Sequence, residues 1–370
     1  MRKSIFLVVV WAVVLALLAA CAAPAAPAQP AAEPAAATEA PATEAPAAEA
    51  TEAAPAEAAA EPSGEMAEAF RVAVVLPSTI NDLSWSQSII DGLKAVQAEL
   101  GEDKFEIAYS ENMWNVTDAA PAIRDYAENG YDLVVAHGAQ YGTTLFEIAP
   151  DYPDTSFGWG TATDTGAAQG LTNVFAFEPR ADQGGYVLGV VAGLLTEAKN
   201  VGVVGPVDAG DAKLHVDGFV AGVRSVDPNI NLGVTFTGNF GDTALAAEAA
   251  NTLINAGADV LTGSAQQVSG AIGVAKDKGV PWLGIQGDQS PLAPDVVVAS
   301  DVYDWSGVIK EIMKLRAEGT NGGQVLQLTL ANGAQRMQYS DTLPAEIVDA
   351  AKAAEQGIID GTIEIKAEPR

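Results

Sequence analysis

The sequence predicts an α/β protein with two doubly wound parallel-sheet lobes, joined by a hinge and separated by a central cleft. Three observations lead to this prediction. Short apolar strands alternate with amphipathic helices, the alternation occurs as two similar series, and roughly 300 residues follow Ala69, enough for two lobes with separate cores. Strand–helix alternation of this kind is typical of a parallel sheet covered by helices on both faces.

Each series contains four predicted strands separated by predicted helices. The first has strands at Phe70–Leu76, Phe105–Tyr109, Tyr131–Ala136 and Thr155–Gly158, with helices near Ser86–Leu100, Asp118–Asn129 and Thr143–Ala149. The second has strands at Val201–Gly205, Asn231–Phe236, Ala258–Thr262 and Val280–Ile285, with helices near Lys213–Val226, Thr243–Ala256 and Ser269–Lys278. Both series are therefore runs of βα units, from which doubly wound sheets are built.

The two series are also similar in sequence. Val72–Pro77 parallels Val201–Pro206, and Asn129–Val134 parallels Ala256–Leu261. One interpretation is that all βα units look alike. The other is that two similarly folded lobes face each other across a cleft that can close. For two lobes we expect one to contain residues 69–177 and about 300–319, and the other residues 178–299 and about 320–370.

The amino terminus predicts export and lipid attachment. Arg2 and Lys3 precede an apolar run that is shorter than a bilayer span, and small residues follow it. This pattern predicts a signal peptide over residues 1–20. Leu-Ala-Ala-Cys at its end resembles a bacterial lipobox, which implies acylation of Cys21. Cys21 is the only cysteine of the chain, so it has no disulfide partner; ordinary secretion, or a buried free thiol, is the alternative.

The sequence predicts that residues 21–68 form a disordered tether. Residues 22–66 are almost entirely Ala, Pro, Glu and Thr, without Lys or Arg, and such a segment cannot bury enough apolar surface to offset its ordering. The formal net charge of the whole chain is −29, which disfavours nucleic-acid binding. No second long apolar segment follows the signal, so the sequence predicts no spanning helix in the folded part.

Polar and aromatic side chains follow several predicted strands, at the edge where open parallel sheets bind ligands. Trp85 and Phe240 follow strands in opposite halves, and a closed cleft would bring their rings together around a flat ligand. The expected partners of the ligand's polar edge are Asp82, Asn112, Gln140 and Asp288. Simpler roles exist, because Asp82 or Ser84 could cap the next helix and a single aromatic residue more often packs in a core.

The sequence gives little support for catalysis. The two histidines, His137 and His215, lack metal-ligand spacing. Neither a nucleophile elbow nor a phosphate-binding loop is present, and the few basic residues are scattered. We therefore expect a binding protein without cofactor or metal.

The segment Asp82-Leu83-Ser84-Trp85-Ser86-Gln87-Ser88 is similar to an Asp-Lys-Ser-Phe-Asn-Gln-Ser motif. That motif is found in the basic membrane protein family, the purine-nucleoside-receptor-like lipoproteins, which this sequence resembles. Further similar segments, in the family's order and spacing, are Gly130–Gly138, Ala149–Phe157, Gly257–Val260 and Gly284–Gln289. The resemblance covers roughly residues 71–339. It implies a type I periplasmic-binding fold and a substrate-binding lipoprotein of an ABC importer, whose characterised members hold a purine between aromatic rings and the ribose with carboxylate and lysine side chains.

The match to the family's site residues is uneven. Trp85 and Phe240 occupy the positions of the two stacking aromatics, so the resemblance implies stacking roles for both. Ser86 stands where the family has Asn, and Tyr303 where many members have Lys. In the family's Asp-x-Asp-Gln motif Asp288 is present, but Gln286 replaces the first Asp. These departures favour a free nucleobase or another heterocycle alongside a nucleoside, and an aromatic cage with carboxylates would also suit a quaternary ammonium ligand.

The expected function is an extracytoplasmic, lipid-anchored, monomeric receptor that delivers an aromatic ligand to an ABC permease. A sensory receptor of the same fold, signalling to a membrane partner, is the alternative, and a hydrolase is a third hypothesis. The sequence does not separate import from sensing, because both use a tethered two-lobed receptor.

Overall fold

The computed structural model describes residues 69–367, so Cys21, the signal peptide and the tether lie outside the described residues. The described strands are β1 (Phe70–Val75), β2 (Phe105–Ser110), β3 (Leu133–His137), β4 (Ser156–Gly160), β5 (Val174–Pro179), β6 (Asn200–Gly205), β7 (Asn231–Phe236), β8 (Val260–Gly263), β9 (Trp282–Gln286), β10 (Val297–Tyr303), β11 (Val325–Leu328) and β12 (Gln335–Tyr339). The α-helices are α1 (Trp85–Leu100), α2 (Val116–Glu128), α3 (Gly142–Ile148), α4 (Ala181–Leu195), α5 (Gly210–Val226), α6 (Thr243–Asn255), α7 (Val268–Lys278), α8 (Ser306–Ala317) and α9 (Ala345–Ile359).

The strands form two six-stranded sheets, one in each lobe. The sheet of lobe 1 has the order β11-β5-β4-β3-β1-β2, and its strands are parallel. The sheet of lobe 2 has the order β12-β10-β9-β8-β6-β7, in which β12 runs antiparallel to β10 and the other pairs are parallel. The predicted α/β class with two doubly wound lobes is confirmed.

The strand order reverses at β1 in lobe 1 and at β6 in lobe 2. In each sheet the next strand along the chain pairs on one side, and the remaining strands follow on the other side. The crevice beyond the carboxyl ends of the strands at such a reversal is where open α/β sheets bind ligands. The topology therefore places a ligand position in front of β1 and β6.

The lobe boundaries differ from the predicted ones in two places. Ser300–Tyr303 belong to β10 of lobe 2, whereas we expected them in lobe 1. Val325–Leu328 form β11, which pairs with β5 in lobe 1, whereas we expected lobe 2 from about residue 320. The reason is that the chain returns to lobe 1 through α8 and then adds one short edge strand before it crosses again.

Close packing between α4 and α5 fixes the position of α5. A Cβ atom on Gly189 would overlap the carbonyl oxygen of Phe219, and one on Gly222 would overlap that of Tyr186. These glycines let the two helix backbones touch. The first turn of α5 reaches the space between the lobes, so this packing sets the geometry of the cleft. No helix within residues 69–367 is both long and apolar enough to cross a bilayer.

Candidate functional site

A cavity of about 440 Å³ lies between the two lobes. Its lining comes from the segments that follow β1 to β4 in lobe 1 and from the ends of β6 to β9 in lobe 2. The lining residues are Pro77, Trp85, Trp114, Gly138, Ala139, Gln140 and Thr161 from lobe 1, and Val207, Ala209, Gly210, Asp211, Ala212, Phe240, Ser264, Ala265, Gln266 and Gln286 from lobe 2. The cavity thus occupies the position that the sheet topology favours for a ligand.

Trp85 lies at the start of α1 and is held rigidly in the wall of lobe 1. Its indole stacks on the ring of His137 with centroids 4.1 Å apart and an interplanar angle of 4°. Its Nε1 donates a hydrogen bond to the carbonyl oxygen of His137 at 3.0 Å, and Trp305 packs edge-on against it. Only 5% of Trp85 is exposed, so this residue is at once part of the lobe 1 core and of the cavity lining.

His137 supports Trp85 in a neutral form. Burial lowers the pKa of His137 to about 3, against the smaller opposing effect of the backbone of Trp85. Its Nε2 lies 3.1 Å from the carbonyl oxygen of Trp85, and because a carbonyl can only accept, Nε2 carries the proton and donates. His137 is therefore a packing partner of Trp85.

Asp82 and Ser86 stabilise the loop before α1, and neither lines the main cavity. The carboxylate of Asp82 accepts hydrogen bonds from the backbone amides of Ser84, Ser86 and Gln87 at 2.9 to 3.1 Å. Asp82 therefore caps α1, which was the simpler of its two interpretations. Ser86 is fully buried, and its Oγ accepts from the amide of Ser78 at 3.2 Å. The structure thus accounts for both side chains without a ligand.

Gln140 lines the main cavity, whereas Asn112 lines a neighbouring crevice. Gln140 is exposed in the segment after β3. Asn112 is exposed after β2 and faces a second space of about 400 Å³ between the lobes, together with Asp82 and Trp114. Of the polar side chains that we predicted after the first strands, Gln140 is the one that the structure brings to the main cavity.

Phe240 and Trp114 meet across the cleft. Phe240 is half-buried after β7 of lobe 2, and Trp114 is 45% exposed after β2 of lobe 1. Their ring centroids are 6.1 Å apart at an interplanar angle of 56°. Both line the main cavity, as Trp85 does. Trp114 was not among the predicted site residues, although its position after a strand gave the same signal as that of Phe240.

Asp288 and Tyr303, which we predicted as ligand contacts, do not belong to the lining of the main cavity. Asp288 is exposed, and its Oδ1 accepts from the amide of Ser290 at 2.9 Å. Tyr303, at the end of β10, is 3% exposed and packs in the hydrophobic cluster that contains Trp85 and Trp305, where burial raises the pKa of its hydroxyl. Gln286, two residues before Asp288, has a left-handed backbone with a φ of 76°.

Asp211, Ser264 and Gln286 are polar lining residues that the sequence did not single out as binders. Burial raises the pKa of Asp211 to about 6, and the backbone amides of Ala212 and Asp211 and the side chains of Thr161 and Gln286 oppose that rise by hydrogen bonding. Ser264 is 2% exposed, and its Oγ has no hydrogen-bond partner among residues 69–367. Gln286 accepts a hydrogen bond from the Oγ of Ser84 at 2.6 Å, which joins the two lobes.

Unusual backbone geometry also marks the cleft. Five non-glycine residues of the described chain have a positive φ, and four of them line the two spaces between the lobes. These four are Leu83 and Asn112 at the crevice, and Ala265 and Gln286 at the main cavity. Left-handed backbone is costly for such residues and concentrates at functional sites. This signal was not available from the sequence.

The described lining of the cavity carries a single ionisable group. Asp211 is the one ionisable side chain in the described lining, and no Lys or Arg belongs to it. No group of metal-ligating side chains occurs within residues 69–367. The lining therefore suits a ligand that is flat, mostly apolar on its faces and free of negative charge.

Comparison with known proteins shows a family relationship along the folded part. The family model described as "ABC transporter substrate-binding protein PnrA-like" matches residues 69–369. A purine-binding protein of Brucella abortus is 26% identical over 296 residues, covering 80% of this chain and 83% of the relative. A putative ABC transporter glucose-binding protein of Haloferax volcanii is 25% identical over 301 residues, covering 81% of this chain and 75% of the relative.

The fold is shared with a solved solute-binding protein of an ABC transporter system from Conexibacter woesei. The TM-score is 0.66 at 24% identity, covering 81% of this chain and 99% of that one. This similarity confirms the type I periplasmic-binding fold that the motifs implied. Together with the family match over the whole folded part, it shows that this chain belongs to the Bmp family of PnrA-like ABC transporter substrate-binding proteins.

Proposed function

We propose that the chain binds a small, flat heterocycle, a purine nucleoside or free purine base, in the cleft and delivers it to an ABC permease. The observation that carries this proposal is the aromatic lining from both lobes. Trp85 and Trp114 come from lobe 1 and Phe240 from lobe 2, around one cavity. Aromatic faces on both sides of a cavity favour a planar ligand, because its two faces can then stack.

The size and polarity of the cavity support the same ligand class. About 440 Å³ lies within the range typical of small-molecule sites. Gln140 and Gln266 supply amides that can satisfy the edge of a base, and Asp211 supplies one carboxylate. Phosphorylated ligands are disfavoured, since the described lining lacks the Arg or Lys that phosphate recognition uses.

Calorimetric titration tests this proposal. We expect a purine base or nucleoside to bind, and the corresponding nucleotide and glucose to bind far more weakly. Trp114→Ala should weaken binding by about 1–3 kcal/mol, because truncation loses both stacking and apolar burial. Tyr109→Ala is the matched control: Tyr109 is a 41% exposed aromatic residue of lobe 1 that lies outside the cavity lining, and its loss should not change the affinity.

Two results would contradict the proposal. One is tight binding of glucose without purine binding, which would extend to this chain what the name of its Haloferax relative says. The other is purine binding that Trp114→Ala and Tyr109→Ala change equally, since the rim aromatics would then have no special role.

We also propose that the mature protein is a monomeric lipoprotein on the extracytoplasmic face of a bacterial membrane. Leu18-Ala19-Ala20-Cys21 supports this proposal. Cys21→Ala should abolish incorporation of labelled fatty acid and release the protein from the membrane fraction. A Cys21→Ala protein that still carries the label would contradict it.

A further inference from the structure

Asp211 lies in the first turn of α5, at the junction of the two lobes. Thr161 from lobe 1 and Gln286 from lobe 2 line the same cavity, and hydrogen bonding by their side chains opposes the rise in the pKa of Asp211. The Oε1 atom of Gln286 already accepts from Ser84, so the amide NH₂ of Gln286 is the group left to donate to Asp211.

The carboxylate has no cationic partner in the cavity. Lys and Arg are absent from the described lining. When the lobes close over a ligand, water leaves the cavity, and an ionised carboxylate without a charged partner becomes costly. The ligand itself is then the group available to compensate this charge.

The hydroxyl of Ser264, which does not belong to the helix terminus, also lacks a hydrogen-bond partner among the described residues. Ser264 follows β8 and lines the same cavity, where it is 2% exposed. Its Oγ is buried and makes no hydrogen bond within the described part of the chain. A buried hydroxyl without a partner is uncommon, and one that lines a ligand cavity indicates that the ligand completes it.

We propose that Asp211 and Ser264 form a subsite that selects flat ligands with an N–H-bearing edge, most strongly when that edge carries positive charge. The subsite deepens the proposed function, because it names the edge chemistry that the ligand must present between the aromatic rings. An amino-substituted or protonated heterocycle meets this requirement, and an anion of the same shape does not. Burial raises the pKa of Asp211 to about 6, so its carboxyl is ionised at neutral pH.

Three probes of nearly equal shape test the proposal: benzamidinium, benzamide and benzoate. They are a flat cation with N–H donors, its neutral amide and its anion. At neutral pH, ligand-observed NMR with competition should show benzamidinium binding at least about tenfold more tightly than benzamide, as expected for a charge-assisted hydrogen bond. Benzoate should bind most weakly.

Asp211→Asn should reduce the preference for benzamidinium over benzamide to about twofold or less, because it keeps the shape and removes the charge. Ser264→Ala should weaken both donors by a few fold. Asp288→Asn is the matched control: Asp288 is an exposed carboxylate in the loop after β9, outside the main cavity. Thermal unfolding of each variant shows that its fold is retained.

The subsite is wrong if wild type fails to bind benzamidinium, if benzoate binds as well as benzamidinium, or if Asp211→Asn keeps the full preference. Purine binding is a separate measurement. If the protein binds purines but does not select by charge, the proposed subsite is wrong and the proposed function stands. If it selects by charge but does not bind purines, the proposed purine ligand is wrong and the subsite stands.

Discussion

The two walls of the cleft differ in how far their side chains are committed to the fold. In lobe 1, Trp85 stacks on His137 and bonds to its backbone, and the nearby carboxylate of Asp82 caps α1. In lobe 2, the hydroxyl of Ser264 has no partner among the described residues, and Asp211 lacks a cationic one. Lobe 1 therefore offers a preformed aromatic surface, whereas lobe 2 offers polar groups that a ligand can complete.

This difference bears on how a family motif should be interpreted. Asp82–Ser88 resembles a family motif, yet the side chains of Asp82 and Ser86 stabilise their own loop and helix, and Ser84 bonds to Gln286 of the other lobe. Trp85 is the member of that motif that lines the main cavity. Similarity in a motif thus identified the place of the site better than it identified the contacts.

The largest expected effect separates the two tryptophans of lobe 1. Trp85→Ala should lower the free energy of unfolding by about 3–5 kcal/mol, because it removes a buried aromatic and leaves a cavity against His137 and Trp305. Trp114→Ala should change it by less than about 0.5 kcal/mol, since Trp114 is 45% exposed. Urea denaturation measures both. If both substitutions lower the free energy of unfolding equally, the contrast between a core aromatic and a rim aromatic is wrong.

The next effect concerns the pH dependence of stability and a second carboxylate of lobe 2, that of Asp301. Asp301 is fully buried in β10, and neither carboxylate oxygen has a partner among the described residues. Burial, reinforced by the charge of Glu355, raises the pKa of Asp301 to about 8. An Asp in an unfolded chain titrates near 4. Between these values the folded protein binds more protons at this site, so its contribution lowers the free energy of unfolding as pH rises.

Asp301→Asn should remove that contribution, which is about 1.4 kcal/mol per pH unit between roughly pH 5 and 7. The variant should therefore be less sensitive to rising pH than wild type, and more stable than wild type above about pH 8. Asp341→Asn, at an exposed carboxylate, is the control and should follow wild type. Denaturation at a series of pH values tests this, and parallel curves for wild type and Asp301→Asn would show that Asp301 is ionised in the folded state.

The smallest expected effect concerns the hydrogen bond between the lobes. Ser84→Ala removes the donor to Gln286 and should weaken ligand binding by about 1 kcal/mol, since the amide of Gln286 would then be free to rotate away from Asp211. Ser88→Ala is a related control, because Ser88 accepts from Trp305 within lobe 1. If Ser84→Ala leaves the affinity unchanged, Gln286 does not need Ser84 for its orientation.

Most of the fold could be predicted because the pattern of apolar residues along the sequence indicates which segments are buried strands. The β1 and β6 runs are apolar over almost their whole length, and the helices between strands have one apolar face. β5, β10, β11 and β12 were not among the eight predicted strands. β11, for example, has only four residues, Val325–Leu328, and they are largely exposed, without the apolar run that marks a central strand. Edge strands depend on the neighbouring strand more than on their own sequence.

The site was less predictable, because strand ends can be located from sequence but side-chain directions cannot. Gln140, Trp85 and Phe240 line the cavity as expected. Asp211 lines the cavity but was not predicted, whereas Asp288 was predicted as a ligand contact but is not part of the lining. Side-chain directions at both places depend on local backbone geometry, which one sequence does not reveal.

The central claim is that a flat heterocycle occupies the cleft between the aromatic rings of the two lobes. Native mass spectrometry of protein purified without unfolding tests it most directly. We expect a bound species with the mass of a purine base or nucleoside, present in wild type and Tyr109→Ala and lost when Trp114 and Phe240 are both changed to Ala. A bound hexose, or a purine that persists in the Trp114→Ala/Phe240→Ala protein, would contradict the account.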